Sequence, residues 1–156
     1  MSDLTIRPAT SADARIIADF NARAAKEIED RDLDPATALA GVRACLADPS
    51  KGFYIMAESG GQIAGQLMIT FEWSDWRSGV FWWIQSVYVK PEARRQGVFK
   101  ALYKHIHKEA RRRPEICGLR LYVEKNNNVA RKIYTDLGIR HSDFLMHEID
   151  FYFEDD

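Results

Sequence analysis

Two stretches of this chain combine residue types and spacings that could bind and activate an anionic ligand. In the first, Val87-Tyr88-Val89-Lys90-Pro91-Glu92-Ala93-Arg94-Arg95-Gln96-Gly97-Val98-Phe99-Lys100-Ala101-Leu102, an apolar strand pattern runs into a basic turn, a glycine and a helix start. Amide hydrogens at a helix N-terminus lack intrahelical acceptors, and with the helix dipole they favour an anion. Arg94 and Arg95 add positive charge, and Gly97 lets the backbone approach closely. A basic connection with an ordinary turn glycine is the plainer alternative. In the second stretch, Asn127 and Tyr134 lie two helical turns apart and share one face. Tyr134 alone would suit a core; beside an anion loop, its phenol could also donate a proton. Glu72, late in a neighbouring strand, is a carboxylate that could accept one. A solvated strand-end position explains it equally well.

These residues need elements to hold them. Leu4 to Arg7 alternates as a short strand that Pro8 ends, and Ser11 or Asp13 can cap a helix carrying Ile17, Phe20, Ala24 and Ile28. An acidic link, Glu27 to Asp34, leads to a second helix opened by Asp34-Pro35 and closed by Asp48-Pro49. Strands follow at 53–58 and 62–73 around a Gly60-Gly61 turn, and at 80–89. The pattern then predicts a helix over 97–112, a strand at 119–123 in a sheet interior, and a helix opened by Asn126-Asn127-Asn128. Ala130, Ile133, Tyr134 and Leu137 form its inner face and Gly138 its C-cap. Residues 144–153 read as a last strand. Strand 80–89, helix 97–112 and strand 119–123 make a crossover between parallel strands, so the sheet is expected to be mixed.

In this order and spacing, the two stretches resemble the GCN5-related N-acetyltransferase (GNAT) superfamily. Its phosphate loop, R/Q-x-x-G-x-G/A after a V-x-P turn, is similar to Val89-Lys90-Pro91 leading into Arg94-Arg95-Gln96-Gly97-Val98-Phe99. Its later signature, N-x-x-A-x-x-x-Y-x-x-x-G-F, is matched by Asn127-Val129-Ala130 through Tyr134 to Gly138-Ile139. The resemblance covers nearly the whole chain and implies one mixed α/β (α+β) domain over residues 1–156. Its central sheet would be mixed and mostly antiparallel, with about seven strands and about four helices. The implied order is strand, two helices, three strands, helix, strand, helix, two strands.

The resemblance also implies acetyl-CoA as co-substrate, and acetyl transfer to a primary amine by direct attack in a ternary complex. Backbone amides of Arg94, Arg95, Gln96, Gly97, Val98, Phe99 and Lys100 would hold the pyrophosphate. Val87 and Val89 would run beside the pantetheine arm, with an amide near Val87 polarising the thioester carbonyl. Asn127 would bond the cofactor arm, and Tyr134 would face the sulfur as general acid. Phe99 stands where the family commonly has glycine or alanine, and Gln85 where many members carry glutamate, so the base comes from elsewhere or from water, with Glu72 as first choice. A sensor or adaptor domain of the same fold, binding an acyl-CoA with weak turnover, is the alternative.

Composition narrows the partners. Lys plus Arg (22) against Asp plus Glu (23) gives a net charge of −1, without the basic excess expected of a nucleic-acid binder. No apolar run nears the roughly 18 residues that span a bilayer, and the amino terminus lacks a secretory pattern. Two cysteines, Cys45 and Cys117, fit a reducing compartment, so a cytoplasmic location is expected. His105 and His107 face different ways on one helix, and no H-E-x-x-H or C-x-x-C occurs, so no metal is expected. The acidic link, with Glu72 and Asp75 beside Phe71, Trp73, Trp76, Phe81, Trp82 and Trp83, suits a small cationic amine or a peptide amine. A solvated loop beside a packed sheet is the bland counterpart. The resemblance also allows a homodimer.

Overall fold

The computed structural model describes residues 3–154. The backbone gathers into two compact units, Met1–Glu124 and Lys125–Asp156. The first carries β1 (Leu4–Pro8), α1 (Ala14–Glu29), α2 (Pro35–Ala47), β2 (Phe53–Ser59), β3 (Gln62–Ser74), β4 (Gly79–Val89), α3 (Val98–Arg111) and β5 (Ile116–Arg120). The second carries α4 (Asn128–Asp136). The five strands form one sheet in sequence order, antiparallel except for the parallel β4–β5 pair. The mixed sheet thus follows the expected order through α4.

Local chemistry accounts for the boundaries. Asp34 caps α2 by accepting from the Thr37 amide at 2.9 Å, and Pro35 fills the first helical position. Ala14 and Ile17 of α1, with Val42 and Cys45 of α2, pack on Tyr54 and Met56 of β2. Side chains alternate along a strand, so Phe53, Ile55 and Ala57 face the other way, where α3 buries Val98, Leu102 and Ile106. Burying side chains the size of Leu102 or Ile106 contributes about 2 kcal/mol each. Both cysteines are free thiols, and burial pushes the Cys45 thiol pKa up.

Two boundaries differ from the sequence expectation. β5 starts at Ile116 rather than 119 and ends the sheet, because its pairing with β4 begins at Val80–Ile116. All its residues are half-buried, as suits an edge strand and not an interior one. The expected strand over 144–153 is absent among the described residues, which therefore hold five strands instead of seven. There the Asp150 side chain accepts from the amides of Tyr152 and Phe153, at 2.8 and 2.9 Å. That local turn takes backbone donors that a strand ladder would need.

One ion pair locks the start of the fold. Arg7 of β1 grips Asp13 with two bonds, at 2.8 and 2.9 Å, and reaches Glu58 of β2 at 2.8 Å. Asp13 is buried and also accepts from the Thr10 amide. The Arg7 hydrogen bond holds the Asp13 carboxyl below the usual carboxylate range despite burial. Its stabilisation is therefore present above the unfolded pKa of about 4 and fades as pH falls through the lower folded value. Asp13→Asn is expected to cost about 2 kcal/mol in urea unfolding at pH 7. The gap between variant and wild type should narrow steadily below about pH 4.

Candidate active site

The sheet opens where β4 stops pairing on one side. β4 pairs with β3 from Gly79 to Val89, but with β5 only from Val80–Ile116 to Trp83–Arg120. Residues 84–89 thus have no strand partner on the β5 side among the described residues. The cause lies in the register: Gln66 faces Tyr88 and Met68 faces Gln85, leaving Leu67 opposite both Ser86 and Val87. This is a β-bulge, and Ser86 sits in it at φ 51°. A bulge bends its strand and increases local twist, which carries β4 away from β5. Val87 and Val89 lie on the separated segment, and an open strand edge is a place where an extended ligand could pair.

Beyond Val89 the chain makes a short 3-10 turn, Pro91–Ala93, and then the loop that opens α3. Arg95 and Gly97 both adopt left-handed conformations, at φ 65° and 78°. Gly97 is the N-cap of α3 and has no side chain to bond the first amides. Those of Val98, Phe99 and Lys100 lie in the first helical turn, so no carbonyl of the helix accepts from them. Val98 is buried against Gly65, where an added Cβ would stand 3.0 Å from its Cγ1 and 2.9 Å from the Tyr88 carbonyl. The absent side chain at Gly65 lets the helix start sit tight on β3 and β4.

The loop's side chains divide their tasks. Arg94 donates through Nε to the Val89 carbonyl at 2.9 Å and through Nη2 to Glu27 of α1 at 2.8 Å. Its amide donates to the Pro91 carbonyl at 3.3 Å. Arg94 therefore ties the loop to the strand end and to α1. Gln96 holds the loop from within, donating to the Glu92 carbonyl at 3.1 Å. Arg95 and Lys100 are exposed. Phe99 packs on Tyr103, one turn along α3, with ring centroids 6.3 Å apart. A bulky residue at this position is accommodated along the helix.

Where β4 and β5 part, a polar and aromatic cluster lines the lip. Glu72 Oε1 accepts from Trp83 Nε1 and from Arg120 Nη1, each at 2.8 Å. These donors, Trp83 first, lower the Glu72 pKa. Arg120 lies over the Phe81 ring at 3.7 Å. Gln85 donates to Thr70 Oγ1, and its Oε1 accepts from the Tyr122 hydroxyl at 3.5 Å. Tyr122 is 56% exposed, and its ring centroid is 5.9 Å from that of Trp83. The acidic link upstream is largely matched locally: Glu27 meets Arg94, Lys26 bridges Asp30 and Asp32, and Asp34 caps α2.

In the second unit, Asn127 Oδ1 accepts from the Ala130 amide at 3.2 Å and so caps α4. Two turns on, Tyr134 is half-buried, as are Ala130 and Leu137, while Ile133 is 40% exposed. Burial raises the Tyr134 phenol pKa above its ordinary value of 10. Leu137 rather than Gly138 is the C-cap of α4, and Gly138 just past it takes φ 85°, the left-handed conformation that glycine supplies after a helix end. Among the described residues, no group of three or more His, Cys, Asp or Glu could hold a metal ion. No helix there is long and apolar enough to cross a membrane.

Sequence reasoning missed two contributors, Ser86 and Gln66, and read Glu27 only as part of the acidic link. Its partner Arg94 lies 67 positions away, so the pairing carried no local signal. The adjacent polar pair Gln85-Ser86, inside an apolar strand, was a legible sign of a break in alternation. Gln66 was a polar residue within the run Ile63-Ala64-Gly65-Gln66-Leu67-Met68-Ile69 and is fully buried.

Comparison with known proteins agrees with this architecture. The model of the acetyltransferase (GNAT) family matches residues 15–139. A possible acetyltransferase from Clostridium difficile 630 has a similar structure at TM-score 0.88 and 42% identity, with 94% of this chain and 97% of that chain covered. A predicted acetyltransferase with acetyl-CoA from Clostridium acetobutylicum is similar at TM-score 0.76 and 19% identity, covering 94% and 96%. The ribosomal-protein-alanine N-acetyltransferase of Brucella melitensis biovar Abortus 2308 is similar at TM-score 0.77 and 19% identity, covering 96% and 99%. At such low identity the last two bear on the fold alone. No curated protein matches the sequence.

The loop geometry can be tested with pyrophosphate. At φ 78° an alanine is strained by about 1 kcal/mol, although no atom lies within 4 Å of a Cβ at Gly97. Gly97→Ala should therefore shrink the rise in Tm that pyrophosphate gives the wild-type protein. Gly138→Ala, at φ 85° just past the end of α4 and likewise with no atom within 4 Å of a Cβ, should carry similar strain and leave that rise intact. Equal rises in all three proteins would remove the anion site.

Proposed function

The chain belongs to the GNAT acetyltransferase family, and from that membership we propose that it moves an acetyl group from acetyl-CoA to a primary amine by direct attack in a ternary complex. The carrying observation is the parting of β4 from β5 at the Ser86 bulge, on the strand that leads straight into the α3 loop. An open strand edge suits the amide-bearing arm of coenzyme A, and first-turn amides suit its diphosphate. Acetyl-CoA, when bound, supplies the activated acyl group.

In this reading the loop residues Arg95, Gln96, Gly97, Val98, Phe99 and Lys100 receive the diphosphate, and Arg94 braces them. Val87 and Val89 pair with the pantetheine arm, and the Val87 amide faces the charge that grows on the carbonyl oxygen. The Asn127 side chain, fixed by its capping bond, bonds the same arm. Tyr134 donates its proton to the departing sulfur. Burial favours this role, because a raised phenol pKa keeps the proton in place throughout neutral conditions. We treat both compact units as one functional domain, which the family match across residues 15–139 supports.

The reading changes for Glu72. A base must take up a proton, and the bonds from Trp83 and Arg120 favour its charged form. We assign it to ordering the acceptor wall of Trp83, Tyr122 and Arg120, with the ammonium proton passing to water. Because Arg120 offsets its charge, the wall offers hydrogen bonds and ring faces more than net attraction. The acceptor class remains a small cationic amine or a peptide amine, with neither nucleic acid nor membrane as partner and a homodimer as a proposed assembly. The sparse free thiols support a reducing, cytoplasmic setting. The sensor-domain alternative has one observation on its side: Gln85, which cannot take a proton, is held between Thr70 and Tyr122.

Tyr134→Phe is expected to lower kcat about a hundredfold while coenzyme A affinity by calorimetry stays within about twofold. The alkaline limb of the wild-type kcat profile should lie above pH 10, the direction burial imposes. Unchanged turnover would return Tyr134 to a purely structural role. Glu72→Gln should raise KM for the acceptor and leave the shape of the kcat–pH profile alone. Loss of that profile's acidic limb would make Glu72 the base after all. Absence of thiol release from acetyl-CoA with every amine of a broad panel, despite coenzyme A binding, would favour the sensor domain.

A further inference from the structure

Gln66 is fully buried, yet its amide is only partly satisfied. Nε2 donates to Asn21 Oδ1 of α1 at 2.9 Å and to the Ser86 carbonyl at 3.1 Å, while Oε1 accepts no hydrogen bond. A buried acceptor without a donor is a cost to folding, whereas an apolar side chain of similar volume would avoid it. The two donations have one notable target, since Ser86 is the bulge residue held at φ 51°. A non-glycine residue is strained there and keeps that conformation only when its surroundings impose it. The Ser86 hydroxyl gives little help, as it points to the Met68 sulfur at 4.0 Å. Leu67 lies opposite the bulge, and Gln66, next to it and facing Tyr88, reaches back to the bulge carbonyl, where a brace would act.

We propose that Gln66 is a positioning residue: by holding the Ser86 carbonyl and Asn21 together, it fixes the bulge and with it the direction of the Val87 amide. This rests on the acetyl-transfer reading, because it is the carbonyl oxygen of the bound thioester that the amide must meet. A donor displaced by about an ångström can lose about a hundredfold in rate. Gln66 touches neither reactant; it acts through Ser86. The two bonds together link α1 to the bulge, so the helix and the amide that would serve the acyl group share one brace.

Gln66→Leu and Gln66→Met keep the volume and remove the donor. Each relieves the unpaired Oε1 but takes the donor from the Ser86 carbonyl and Asn21 Oδ1, so each is expected to keep a urea midpoint near that of wild type, to bind coenzyme A within about twofold of wild type, and to lose about tenfold to a hundredfold in kcat. Ser86→Gly, which accepts a positive φ without strain, should restore part of the lost kcat when added to Gln66→Met. A merely structural glutamine would lower the unfolding midpoint and spare kcat in the folded fraction. Wild-type kcat in both folded variants overturns the proposal, as does a kcat loss that Ser86→Gly deepens. If the wild-type protein itself binds no coenzyme A and releases no thiol, the failure belongs to the acetyl-transfer reading.

Discussion

Strand β4 cannot remain paired on both edges along its whole length. One additional residue opposite Leu67 turns it, and the β5 edge is lost after Trp83. Much of the site follows from that constraint. Among the described residues, the stretch after Trp83 has no strand ladder on its β5 side for the backbone groups that an ordinary sheet would pair there. The bulge also brings Gln85 and Tyr88, three positions apart, onto the same face, as their partners Met68 and Gln66 require. Tyr88 then packs on Phe20 of α1, with ring centroids 5.0 Å apart, and the helix closes over the distorted strand.

Charge in this protein is mostly spent near where it is carried. The acidic link reads in sequence as an attractor for cations, but Lys26, Arg94 and the α2 cap take up most of it. These pairs are largely exposed, and such pairs contribute little to stability. Their effect is to reduce the long-range field around the link. At the lip, Trp83 and Arg120 hold Glu72 by short-range bonds, with Tyr122 beside Trp83. At the opposite end of β4, the loop keeps the charged groups of Arg95 and Lys100 exposed.

The legible parts of this molecule are those whose cause is local. Asp34-Pro35 names a helix start because one side chain and one missing amide act within a turn. The crossover from β4 through α3 to β5 follows from an apolar strand, a proline and a helical stripe. The start of α4 at Asn127 was legible too, because its capping bond to the Ala130 amide spans three residues. What was hidden depends on distant partners or on backbone angles. Glu72 looks like a free carboxylate until Arg120, 48 positions away, is brought beside it. The apolar segment 144–153 resembles a strand, but alternation says nothing of Asp150 capturing its amides. Ser86 at positive φ could not be read from its type, since serine rarely adopts that conformation.

The geometry also explains why the anion loop and the open strand edge lie on one continuous segment. A ligand with a diphosphate at one end and a thioester at the other must find both contacts at a fixed separation. Arg94 bonds the last carbonyl of β4, and Gln96 bonds back to Glu92, so the loop is held to the strand within the protein itself. Gly65 lets Val98 sit against the same strand pair, which sets the helix start relative to β4. With these parts ordered beforehand, binding need not supply the entropy cost of ordering the loop, and more of the contact energy remains for affinity. The bulge brace at Gln66 and the loop brace at Arg94 therefore act on one strand from its middle and its end. The stretch between them, Ser86 to Val89, is the part whose position determines whether both ends of a ligand can be met at once.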